Sequence, residues 1–280
     1  MASEVQQKAA EVQQKTREVV AHHGEWIEWA GRAGFATKAV VYGIIGVMAL
    51  ATAWGDGRAM GSTDAIETIG HQPFGHTLLW LTALGLAGYA LWRFVEAAVD
   101  PEYRGTETKD LVRRVGYAIN GVLHMALAVY AAPVSLINKS GSGEDGLVAR
   151  VLALPGGMLI VAAVGLGILG FACYELYSAW TQRFMKKYPY HAMNETEEKT
   201  ARYAGSVGLA ARGLTFFIIG AFVVVAAVRL DPSQTKNSRE ALELLAQQPY
   251  GPWLLSLVGF GLVCYAIHCG AQAYYRRFNV

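Results

Sequence analysis

GRAGFATKAVVYGIIGVMAL (residues 31–50) and LLWLTALGLAGYALWRFVEA (residues 78–97), joined through QPFG (residues 72–75), are the stretches whose reading decides the fold. Each carries about the 20 apolar residues that a helix needs to cross the ~30 Å hydrocarbon layer. The pattern then returns twice. Residues 34–97 align with residues 116–179 at a constant offset of 82, and with residues 208–273 at an offset of 174 rising to 176. A self-similar period of this kind marks a chain built by repetition, here a triplicated two-helix unit.

Six stretches qualify as spans: residues 35–54, 74–95, 115–137, 157–179, 207–228 and 253–274. Apolar residues make up 53% of the chain and charged residues 16%, against roughly 25% charge in soluble domains. The expected fold class is therefore an all-α membrane protein of six transmembrane helices. They form three tandem two-helix repeats with pseudo-threefold symmetry about the membrane normal, preceded by an N-terminal amphipathic cytoplasmic helix. The boundaries read as residues 1–30 for that helix, then 31–99, 113–180 and 205–277 for the repeats. The first apolar run follows about 30 polar residues, so the first span is expected to act as its own insertion signal.

The net charge of +2 decides nothing, but its distribution does. Of the 24 lysines and arginines, 18 flank the terminal side of the spans, leaving Arg58, Lys139, Arg150, Arg229, Lys236 and Arg239 on the other. The positive-inside rule then puts both termini in the cytoplasm. In the N-terminal helix, EVQQKAA (residues 4–10) is followed by EVQQKTR (residues 11–17), giving a weak stripe of Val5, Ala9, Val12 and Thr16. A solvated helix on the membrane surface leads this reading, with a partner-docking arm second, because two heptads bury too little for stable pairing. Trp26 and Trp29 mark the water interface.

On the opposite side, Ser62, Thr63 or Asp64 is expected to cap a short surface helix, and Ser238 another. The prolines of QPFG, LPGG and QPYG are expected in the first turn of the following span. Tyr188, Pro189, Tyr190 and His191 read either as a docking motif or as a loop turning at proline.

The combination of QPFG and QPYG with GLAGYALWRFVEA (residues 85–97) resembles the bacterial membrane family known as domain of unknown function 1206. The resemblance covers nearly the whole chain after Trp29. It implies three tandem two-helix units in a prokaryotic inner membrane, and no assigned activity. The middle unit departs furthest, with Glu175 where the first has Arg93.

Ionisable groups inside spans are functional suspects by default. Lys38, Asn120 and Arg212 occupy one repeat slot, either as a polar ring that holds an anion or, the reading placed first, as side chains that snorkel to water. Arg93 and Glu96 are three apart and suited to pair, while Glu175 needs Arg93 or Arg212 from a neighbouring unit. A structural polar cluster ranks ahead of a gate or proton site. His124 and His268 lie at similar depth on different helices and would suit haem iron in a b-type cytochrome. Both align with aromatic residues in the other repeats, so aromatic packing slots come first. Cys173, Cys264 and Cys269 read as small buried residues. Gly85, Gly167 and Gly261 are expected to draw the even-numbered spans into the tightest contacts.

No Walker A motif, GxSxG elbow, HExxH site or dinucleotide fingerprint occurs, so an enzyme, a bound metal and an organic cofactor are not expected. The partners expected are the lipid bilayer and a protein bound through the N-terminal helix, with no nucleic acid. The leading reading is a non-catalytic scaffold or partner-binding membrane protein. The alternative is a small-solute or ion channel or transporter with a path along the pseudo-threefold axis.

Overall fold

Long apolar runs with proline only near their ends give long helices, and the computed structural model, which describes residues 24–55, 59–99, 108–134, 144–188, 193–276 and 278, has them. Among the described residues, six helices are long and apolar enough to cross a membrane. They are α1 (Gly24–Ala53), α3 (Gly75–Val99), α4 (Thr108–Val134), α6 (Gly157–Thr181), α7 (Glu195–Arg229) and α9 (Gly251–Tyr275). Short helices α2 (Ser62–Gly70), α5 (Glu144–Leu152) and α8 (Ser238–Ala246) join the two spans of each unit. The repeated EVQQK arm lies outside the described residues. Residues 24–30, read with the arm from sequence, continue without a break into the apolar helix α1, with Trp26 and Trp29 exposed as expected of interface anchors.

Neighbouring units hold each other more extensively than each holds itself. The pairs α1–α9, α3–α4 and α6–α7 pack along their length, and the contacts within a unit, α1–α3 and α7–α9, are slighter. Among the described residues, α4 and α6 of the middle unit make no comparable contact. The neighbours therefore run α4, α3, α1, α9, α7, α6. This is the order of a threefold ring with one joint open. Two inter-unit pairs are fastened by repeat-equivalent arginines. Arg32 donates to the carbonyls of Ala273 and Tyr274 at the end of α9, and Arg114 to those of Ala97 and Ala98 at the end of α3. Each thereby satisfies orphan carbonyls of a helix C-terminus.

Close approach within units 1 and 3 depends on glycine. A Cβ on Gly34 would stand 2.4 Å from the Tyr89 Cβ, and one on Gly208 would stand 2.5 Å from the Tyr265 Cα. Gly85 likewise meets Thr37, and Gly261 meets Ala211. In lipid, where tails compete equally for apolar surface, such backbone proximity supplies the packing. Gly85 and Gly261 draw their even-numbered spans against the odd-numbered span of their own unit, whereas a Cβ on Gly167 would meet nothing within 4 Å.

The connecting helices differ from the sequence reading in three ways. The N-cap of α2 is Gly61, whose N–H donates to the Asp64 carboxylate at 2.8 Å, and that of α8 is Asn237, boxed with Glu240. The prolines precede the spans: Pro73 and Pro249 sit inside turns closed by Gly75 N–H to Gln72 O and Gly251 N–H to Gln248 O. Phe74 and Tyr250 take the left-handed position that follows, both at φ 63°, while Gly156 takes it in the middle unit at φ 76°. Pro then a positive φ is a type II pattern, and the closing glycine is obligatory because its Cβ would fall 1.8 Å from Gly70 O or 1.9 Å from Ala246 O. Finally, α2 and α8 are not surface helices. Ala65, Ile66, Ala241 and Leu242 are fully buried, and Ala65, Leu242 and Ile69 form one core with Ile45, Ala49, Leu255 and Val258 of α1 and α9.

Candidate functional site: a buried cationic centre

Lys38 on α1 and Arg212 on α7 start from equivalent turns of their repeats, and both point into the bundle, 2% and 3% exposed. Neither snorkels. The reason lies in their neighbours. Lys38 Nζ donates to the Tyr89 hydroxyl at 3.0 Å and lies 4.1 Å from the Tyr89 ring centroid, 5.6 Å from that of Tyr265 and 6.0 Å from that of Tyr42. Arg212 donates to the Glu175 carboxylate at 2.7 Å and to the Tyr42 hydroxyl at 3.1 Å, with its guanidinium 4.9 Å from both the Tyr265 and Phe216 rings. Cation–π contacts of this kind gain most where water is excluded. Tyr89 and Tyr265 are themselves repeat equivalents, so the tyrosine cage is a product of the repeat. Glu175 thus finds Arg212, one of the two partners foreseen for it, and joins the axial group instead of Arg93. Asn120, the third member of the slot, is half-buried, and its Oδ1 is buried without a hydrogen-bond partner.

From this centre towards the connecting helices lies a small void of about 20 Å³, lined by Tyr42, Arg212, Thr215 and Phe216, and by Ser62 and Ser238 at the starts of α2 and α8. That is room for about one water.

Towards the chain termini, Glu96 forms a second centre. Its carboxylate accepts from Arg93 at 2.5 Å and from Arg276 at 2.6 Å, and Lys187 lies 3.5 Å away. The Arg93–Glu96 spacing was legible in sequence. Arg276 and Lys187 were not, because they come from the chain end and from the turn Arg183–Lys187 after α6, with separations that carry no periodic signal. Arg93 also donates to the Tyr89 hydroxyl at 2.7 Å, so Tyr89 touches both centres.

His268 belongs to this layer. Arg276 donates to Gln272 Oε1, Gln272 Nε2 lies 2.6 Å from His268 Nε2, and His268 Nδ1 lies 3.1 Å from the Tyr188 hydroxyl. The network assigns the proton to Nδ1, with Gln272 donating to Nε2 and Tyr188 donating onward to the His268 carbonyl. Both ring nitrogens are thus engaged by protein. His124 Nδ1 bonds the Asn120 carbonyl at 2.9 Å, and its ring packs 4.5 Å from that of Tyr89. Each histidine occupies an aromatic slot. Tyr188, read as part of a loop motif, is an internal strut, and the rest of that motif falls outside the described residues. Among the cysteines, Cys264 and Cys269 are buried, but Cys173 is exposed on the outside of α6. No cluster of three or more metal-ligating side chains occurs among the described residues.

Lys187 lies beyond the spans, and burial, reinforced by the nearby Arg276 guanidinium and opposed by Glu96, pulls its ammonium down to about 7. Between that value and the ordinary lysine range the unfolded chain binds more protons, so this group's contribution makes stability rise with pH; below about 7 the cost of burying the ammonium is fully present. Lys187→Met is therefore expected to raise Tm in detergent at pH 6, with the gain shrinking by pH 9. An equal shift at both values would contradict the assignment.

The chain matches the family described as Domain of Unknown Function (DUF1206) three times, over residues 33–100, 115–182 and 207–276. It is also 32% identical over 255 residues to the uncharacterized protein YxxB of Bacillus subtilis (strain 168), covering 91% of this chain and 93% of that one. No solved structure matches. Three matched units and a relative aligned over almost its whole length agree with the triplicated fold, and the chain belongs to the DUF1206 family of membrane proteins.

Proposed function

We propose that the protein is a transporter of a small oxyanion, non-enzymatic, with its path along the pseudo-threefold axis and Lys38 and Arg212 as the binding residues. The observation that carries this is the imbalance of charge inside the spans. Among the described residues the spans hold three buried or nearly buried cations, Lys38, Arg93 and Arg212, against two carboxylates, Glu96 and Glu175, and a further buried cation, Arg276, stands just beyond α9. Glu96 is committed to Arg93 and Arg276, and Glu175 to Arg212. Among the described residues, Lys38 is left with phenol and aromatic faces and no carboxylate within ion-pair distance. Burying a charge without a counter-charge is expensive, and more so in a bilayer, so a charge kept there marks a ligand's place.

In this reading an anion enters from the connecting-helix side past Ser62 and Ser238. Arg212 exchanges Glu175 for the ligand, Lys38 supplies the second charge, and the hydroxyls of Tyr42 and Tyr89 complete the shell. The termini lie in the cytoplasm of a cell whose inner membrane holds the protein.

A second reading rests on the smallness of the void. A centre with room for one water suits a closed bundle acting as a non-catalytic scaffold, which binds protein partners through its cytoplasmic surface. Thermal unfolding in detergent at constant ionic strength separates the two. Sulfate or phosphate is expected to raise Tm relative to chloride, the shift is expected to vanish in Lys38→Gln and Arg212→Gln, and the purified protein is expected to carry labelled sulfate or phosphate into proteoliposomes. No anion-specific shift together with no flux would overturn the transport reading and leave the scaffold.

A further inference from the structure

Repeat equivalence provides an internal control for every helix joint. In unit 1, Gly34 of α1 sits against the Tyr89 backbone and Gly85 of α3 against Thr37. In unit 3, Gly208 of α7 sits against the Tyr265 backbone and Gly261 of α9 against Ala211. The middle unit retains both glycines, as Gly116 of α4 and Gly167 of α6, yet a Cβ on either would meet nothing within 4 Å. Neither would-be neighbour makes the contact its counterparts make. Ile119, the counterpart of Thr37 and Ala211, is 55% exposed, and Phe171, the counterpart of Tyr89 and Tyr265, packs instead on Phe216 of α7 at 5.4 Å.

We propose that the bundle has a second, closed state in which α4 and α6 pack as the spans of the other two units do, with Gly116 on the Phe171 backbone and Gly167 on Ile119. The architecture allows this as a movement of few parts. The inter-unit pairs α1–α9, α3–α4 and α6–α7 are the extensively packed ones, so each moves as a body, and the slighter joints within units flex between them. One end of the open joint is already strapped. The turn after α6 carries Lys187 across to α3 and α4, where its Nζ lies 3.5 Å from Glu96 and 5.6 Å from the Tyr117 ring centroid. Closure is then a swing about that strap.

The occupant of the exposed face is the chain itself, because both halves of the contact sit in register in one repeat and the same contact is made twice elsewhere. Closing also has a consequence at the axis. It brings Asn120, whose Oδ1 lacks a partner, over Phe171 of α6, the repeat equivalent of the place on α3 where Lys38 meets Tyr89, and so completes the ring of Lys38, Asn120 and Arg212. The joint is then a gate beside the cationic centre. Its existence does not depend on what that centre binds.

The test is oxidative cross-linking in native membranes, without added anion, of Ile119→Cys/Gly167→Cys in full-length protein whose three native cysteines are replaced by alanine. Thr37→Cys/Gly85→Cys, at a joint already closed, is the positive control. A disulfide within the chain, identified by mass spectrometry of the joined peptides and forming more slowly than in the control, is the expected result. Adding Gly116→Leu is expected to abolish that cross-link with Tm unchanged or slightly raised. Absence of the 119–167 cross-link while the control forms would overturn the proposal. So would a cross-link found only between two copies, which would assign the face to a dimer, or one that persists with leucine at residue 116.

Discussion

Glu96→Gln is expected to destabilise the folded protein by about 3–5 kcal/mol, the range typical when one partner is removed from a buried ion pair and the other is left uncompensated. Two guanidinium groups depend on this carboxylate. Arg276, 2% exposed, loses its bond at 2.6 Å, and Arg93 loses its bond at 2.5 Å. Arg276 retains Gln272, and Arg93 retains Tyr89, so hydrogen bonds remain but no counter-charge does. Equilibrium unfolding in mixed micelles measures the loss. Arg276→Met is expected to cost less in the Glu96→Gln background than alone, since the two act as one unit and their effects should not add. Equal costs in both backgrounds would show that Glu96 does not anchor the chain end. Because Arg276 stands beyond α9, Glu96→Gln is also expected to free the terminal segment to proteolysis, as Phe278 packs against Phe35 and Trp92 in the same layer.

The second large effect is a contrast between equivalent glycines. Gly34→Leu is expected to cost about 3 kcal/mol or more, at the upper end for an overpacked core, because its Cβ would lie 2.6 Å from the Tyr89 Cα and N, which cannot rotate away. Gly208→Leu is expected to match it against Tyr265. Gly116→Leu, one repeat from each, is expected to change stability by no more than about 1 kcal/mol, and in the stabilising direction from helix propensity. Thermal unfolding of the three variants side by side measures this. A loss at residue 116 equal to that at residue 34 would mean that the α4–α6 joint is already closed in the resting protein.

The contrast also shows where sequence reading ends. Gly34, Gly116 and Gly208 are identical in type and register, so the sequence by itself predicts one joint in three copies. Only the structure decides that two are made and one is open, since that depends on how six helices divide a limited set of faces. Lys38 and Arg212 pose the same problem. Hydropathy placed both about a turn from the interface, where a long side chain has a route to water. Tyrosines from α1, α3 and α9, far apart in sequence, turn that route inward. Arg276 joining Glu96 across 180 residues, and Tyr188 bonded to His268 across 80, left no trace in spacing.

What the sequence determined alone is the set of local and periodic properties. The six spans follow from runs of apolar residues, because an unsatisfied backbone in hydrocarbon forces helix. The triplication follows from self-similarity, as does the recurrence of a proline–glycine break at QPFG, LPGG and QPYG, although that each proline sits in a turn ahead of the span was decided by the structure. What only the tertiary structure decided is which helices become neighbours, which glycines are used, and which cations share a carboxylate. Those are long-range choices, fixed by the shapes and charges of faces that meet only after the helices have formed.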